Sequence, residues 1–142
     1  MKNLRIMNMK KKLIAVVAAI VVVAAAAVLV ASSLKDDVMT KKNGVYVVDT
    51  TTLGKDVQGF NGPTPLKIYI KGGKILKVEA LPNEETPRFF EMVERGLLDK
   101  WNGMSADKAA TAKVDAVSGA TYSSNAVKEN VRLGVAYYRK HK

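Results

Sequence analysis

"LKIYIKGGKILKVEA", Leu66 to Ala80, is the stretch that decides the fold. Leu66, Ile68 and Ile70 alternate with Lys67, Tyr69 and Lys71, a period of two that gives a strand one dry face and one wet face. Gly72 and Gly73 fill a two-residue connection, where a tight hairpin demands positive φ angles. On the returning strand Leu76, Val78 and Ala80 are the expected inward residues, against Lys77 and Glu79. The segment reads as an antiparallel hairpin resting on an apolar layer.

Working outward, "GVYVVDT" from Gly44 is a β-branched and aromatic run that adds a strand, separated from the hairpin by the Gly-rich "GKDVQGFNGPTP". Beyond "LPNEETP" the period changes. Phe89, Met92 or Val93, Leu97 and Trp101 recur at helical spacing, and Pro87 suits a first turn. A helix over 88–100 is expected, with the Phe89 and Trp101 stripe in the core. "ADKAATAK" adds a helical turn, and Val127, Val131, Val135 and Tyr138 mark a last helix. Strands first and helices after predict an α+β domain, a small antiparallel sheet with helices packed on one face. No βαβ nucleotide fingerprint is present.

The N-terminus belongs to another environment. Residues 1–12 carry Lys2, Arg5, Lys10, Lys11 and Lys12 without an acid, and 13–31 then runs without a charge. That is about the length of a membrane-crossing helix, and the cations before it predict an inside N-terminus. The run is longer than a usual signal-peptide core, which favours an uncleaved single-pass anchor over cleavage after small residues such as Ala31 and Ser33. A polar linker over 32–43 is expected next, then one extracytoplasmic domain over 44–142. That domain has room for a single core and a single site.

Composition removes several functions. With no cysteine, a lipoprotein anchor, disulfides, thiolate zinc sites, iron–sulfur clusters and attached c-type haem are excluded. His141 is the only histidine, so the chain lacks the usual histidine-based metal or acid–base site. The net charge is +10. Of the 23 lysines and arginines, five precede the apolar run, leaving eighteen against thirteen acids on the exported part. Such a balance suits a solvated face or anionic headgroups. Nucleic acid is not expected, because no basic and aromatic interleaving of the base-stacking kind occurs.

The chemistry-bearing stretch is "VDAVSGATYSSNAV", Val114 to Val127. It holds the hydroxyls of Ser118, Thr121, Tyr122, Ser123 and Ser124, with Asp115 as its only base. Gly119 permits a tight turn, Ala120 keeps the surface open, and Ser123 or Ser124 is the expected N-cap of the last helix. Thr121 is expected on the loop leading into that helix, where free N–H groups and the helix dipole favour a phosphate.

Asp115, two spacers, "SGAT", an aromatic residue and "SS" resemble the flavinylation motif of the FMN-binding domain family. That family includes the FMN-carrying subunits of sodium-translocating NADH:quinone reductases and Rnf complexes, and small membrane-anchored proteins. "GFNGPTPLKIYIKGGKILKVEAL" is similar to the family's Gly-Pro loop and hairpin, and Glu85, Thr86 and Pro87 match its "ETP" element. The chain departs at Asn61 and Arg88, where glycine is common in the family. The resemblance implies covalent FMN joined through its phosphate to Thr121 by a separate magnesium-dependent flavin transferase that uses FAD. It also implies that Asp115, Ser118, Gly119, Ala120, Tyr122 and Ser123 cradle or present the site, with the Glu85–Thr86–Pro87 loop beside the flavin. An electron carrier between a membrane oxidoreductase and an external acceptor follows, with the redox chemistry belonging to the cofactor. The competing expectations are an exported module binding an anionic envelope polymer, and a non-flavinylated structural subunit of a membrane complex.

Overall fold

Four strands, β1 (Met39–Lys42), β2 (Val45–Asp49), β3 (Leu66–Lys71) and β4 (Lys74–Ala80), form one antiparallel sheet in sequence order. The computed structural model describes residues 36–142. The basic segment 1–12, the apolar run 13–31 and the start of the linker lie outside the described residues. Among the described residues no helix is long and apolar enough to cross a membrane.

The hairpin forms where the sequence places it, with Gly72 at φ 57° and Gly73 at φ 77°. Its return strand differs in one respect. Ile70 faces Ile75 but Tyr69 faces Lys77, so Leu76 is an extra, bulged residue. A bulge shifts the alternation by one. Ile75 and Val78 are therefore buried, and Leu76, expected inside, is 48% exposed.

The linker expectation also needs correction, because Met39–Lys42 pairs with Val45–Val48 as the edge strand β1. Asn43 (φ 52°) and Gly44 (φ 78°) make its turn, an Asn-Gly hairpin signal. The strand "MTKK" is polar because it lies at a sheet edge, where lysines discourage pairing with other chains. On the opposite edge, Ile75 N–H donates to Met104 O at 2.8 Å and Ala106 N–H to Gly73 O at 2.8 Å, so a later loop covers β4.

Three helices follow: α1 (Pro87–Leu97), continued by a 3-10 turn at Leu98–Trp101, the short α2 (Ala106–Ala109), and α3 (Thr121–His141). Helix α3 buries Val127, Val131, Val135 and Tyr138, as its period predicts. It crosses the sheet at Gly134, where a Cβ would come within 2.5 Å of Ile68 Cδ1. The face of β3 that bears Leu66, Ile68 and Ile70 is fully buried, each such side chain stabilising the fold by about 1.5–3 kcal/mol. In α1 the buried residues are Phe90, Val93 and Leu97. Trp101 is core as expected, whereas Phe89 is 49% exposed and faces a different task.

Candidate functional site

Loop geometry brings three distant segments to the start of α3. Gly119, at φ 83°, turns the chain in a conformation that favours glycine. Thr121 is then the first helical residue, and Ala120 is the N-cap. That moves the helix start three or four residues earlier than the cap at Ser123 or Ser124 expected from the sequence. Ala120 supplies no side-chain cap, and the first turn contains no acid. The leading N–H groups of a helix have no partner within it, so this end offers donors and a positive dipole to an anion.

The serines have structural work instead. Ser124 is fully buried, and its Oγ accepts from Val117 N–H at 3.0 Å. Ser123 is 3% exposed and donates from Oγ to Glu85 Oε2 at 2.9 Å. Glu85, itself buried, accepts at Oε1 from Asn61 N–H at 3.3 Å. Asn61 Nδ2 donates to Thr86 Oγ1 at 3.1 Å, so this asparagine ties the loop at 59–62 to the "ETP" element. Asn83 Oδ1 holds Glu85 N–H at 3.0 Å. A single carboxylate thus joins the Gly-Pro loop, the "ETP" loop and the first turn of α3.

Around that junction lies a cavity of about 350 Å3, lined by Phe60, Thr86, Phe89 and Tyr122 with the turn Gly119–Thr121 and the side chains of Glu85 and Ser123. Phe60 is 69% exposed and Tyr122 70%, with ring centroids 6.3 Å apart. Three exposed aromatics at one opening are not core packing. They offer flat apolar surface to a planar ring, beside a helix end that suits a phosphate.

The sequence from Gly59 to Ala136 matches the FMN-binding domain. The chain belongs to the FMN-binding domain family. No curated protein matches it. The matched residues include every residue that lines the cavity, and the cavity fits FMN in both of the group's parts, an aromatic wall for the ring and a helix start without a side-chain cap for the phosphate. FMN is the cofactor the family assigns to this domain.

The structure brings Glu85, Thr86, Gly119, Ala120, Thr121, Tyr122 and Ser123 together and leaves three of the expected residues at the margin. Asp115 and Ser118 are exposed on the loop before the turn and do not line the cavity, and Pro87 is the first residue of α1. Sequence reasoning does not single out Gly59 or Phe60, notes Asn61 only as a departure from the family pattern, and assigns Phe89 to the core, where the structure leaves it half exposed. For Phe60 a signal existed, since an aromatic residue inside a Gly-rich loop has no core to enter. Phe89 is hidden by its neighbour: of the pair Phe89–Phe90, the helix buries the second.

Proposed function

We propose that this protein is a membrane-anchored, extracytoplasmic electron-transfer flavoprotein whose FMN is joined through its phosphate to Thr121. The observation that carries the reading is the contrast among hydroxyls. Thr121 is exposed on the cavity rim at an uncapped helix start, while Ser123 and Ser124 are buried and already engaged. Ser118 is exposed but outside the cavity lining.

In the attachment step the Thr121 oxygen bonds to the FMN phosphorus of FAD, the pyrophosphate bond breaks, and AMP leaves with the bridging oxygen. The hydroxyl proton passes to the magnesium-dependent transferase, since among the described residues no side-chain base is hydrogen-bonded to Thr121. Outside the cytoplasm such a tether retains a cofactor that weak binding would lose. Once bound, FMN supplies one- and two-electron redox chemistry. The chain's own part is to hold the phosphate at the start of α3, to flank the ring with Phe60, Phe89 and Tyr122, and to fix the loops through Glu85. Electrons then pass from a membrane oxidoreductase to an external acceptor.

The test is covalent flavin fluorescence after denaturing electrophoresis of protein made with the transferase. Thr121→Val, nearly isosteric but without the hydroxyl, should lose the signal completely and keep its fold by circular dichroism. Retained fluorescence would move the linkage to Ser118.

A further inference from the structure

Glu85 does more than join loops. The residue is 6% exposed, and its carboxylate oxygens accept hydrogen bonds from Asn61 N–H and Ser123 Oγ. Among the described residues no ion pair involves it. Gly59 lies so close that a Cβ there would meet Oε1 at 2.0 Å, so the loop is shaped around this carboxylate. Glu85 lines the cavity and bonds to Ser123 in the first turn of α3.

We propose that Glu85 sets the redox potential of the bound flavin, its unneutralised charge disfavouring reduced FMN and making the reduced protein a stronger electron donor. The inference deepens the flavin reading and rests on FMN occupying this cavity. Two-electron reduction adds two electrons from the donor and one proton from water to the ring, leaving one negative charge there unless a second proton follows. The Glu85 carboxylate opposes that charge. Two like unit charges about 10 Å apart at an effective dielectric of about 20 repel by roughly tenfold in an equilibrium constant. The flavin phosphate is present in both redox states and cancels from the comparison.

The experiment uses the full chain made without the transferase and titrated anaerobically with free FMN, oxidised in one arm and reduced by dithionite in the other. Glu85→Gln should lower the ratio of the reduced to the oxidised dissociation constant about tenfold, equivalent to a potential about 30 mV higher for a two-electron couple. Ser123→Ala loosens the same junction but leaves the charge, so its ratio should stay at or above that of the parent chain. The proposal is overturned if Glu85→Gln keeps the parent ratio, or if Ser123→Ala lowers the ratio as much as Glu85→Gln does, which would make loop loosening the cause. Because the FMN here is free, the result is independent of whether Thr121 carries the covalent link.

Discussion

At its C-terminal end α3 is complete within the protein. Arg139 and Lys140 complement the negative end of the helix, Arg139 Nε pairs with Asp107 Oδ1 at 2.9 Å, the Tyr137 ring stacks on His141 at 3.9 Å, and Tyr137 OH donates to Asp36 Oδ2 at 3.0 Å. At the N-terminal end the opposite holds, with no cap, no acid, an exposed threonine and an exposed tyrosine. The short α2 shows that the chain caps helices elsewhere, since Ser105 Oγ accepts from Lys108 N–H at 3.1 Å. The two longer helices depart from that rule at the cavity: α1, with N-cap Thr86, and α3, with N-cap Ala120, each lack a side-chain cap and a first-turn acid, and both residues line the cavity. Such departures mark functional sites.

The largest way to break the comparison is to disturb what surrounds the open end. In Gly59→Ala the new methyl would sit 2.0 Å from Glu85 Oε1, and the carboxylate would have to swing away from Ser123 and Asn61. Overpacking and a lost buried contact together should cost roughly 1–3 kcal/mol. Urea unfolding of the apoprotein should show a lower midpoint, and flavin incorporation should fall with it. A midpoint equal to that of the parent would mean the junction is slack and the cavity is not held by Glu85.

A smaller change should sharpen the comparison by moving two properties in opposite directions. Ala120→Ser gives the start of α3 the cap it lacks, which should stabilise the apoprotein by about 1 kcal/mol. The same hydroxyl then competes for the N–H groups that a phosphate would use. Incorporation of flavin by the transferase should slow several-fold, read as fluorescence per protein over time. If stability rises and incorporation is unchanged, the phosphate does not use this helix end.

The sheet and the last helix were legible because their signals are local and periodic. Leu66 to Ala80 alternates strictly enough to reveal two strands, and Val127, Val131, Val135 and Tyr138 lie one helical face apart. What escaped depends on contacts far along the chain. The bulge at Leu76 cannot be inferred from alternation on one strand, because it is a property of the pairing with Tyr69 and Ile70. Strand β1 has no apolar residue after Met39 to betray it, although Asn43-Gly44 was a readable turn. At the site, "SGAT" pointed to the region through resemblance. The burial of Ser123 and Ser124 and the exposure of Phe89 are set by Glu85, Val117 and the packing of α1, which lie up to 38 residues away.

The closed end of α3 offers the smallest expected effect and the control for all the others. The Asp36 carboxyl is held below its ordinary value: partial burial works against this, but the N–H groups of Val38 and Met39, the Tyr137 hydroxyl and the nearby His141 outweigh it. A group whose folded pKa is depressed adds stability above its unfolded pKa, about 3.9 for aspartate, and that stability is lost as pH falls through the lower folded value. Asp36 is exposed, so solvent screening keeps its contribution below about 1 kcal/mol. Asp36→Asn should therefore lower the urea midpoint slightly at neutral pH, and the difference from the parent should vanish as pH drops below about 4. Flavin incorporation should not change, because this contact lies sixteen helical residues from Thr121, roughly 24 Å along the axis. If Asp36→Asn slowed incorporation as Ala120→Ser is expected to, the two ends of the helix would be coupled, and the division of α3 into a structural end and a binding end would fail.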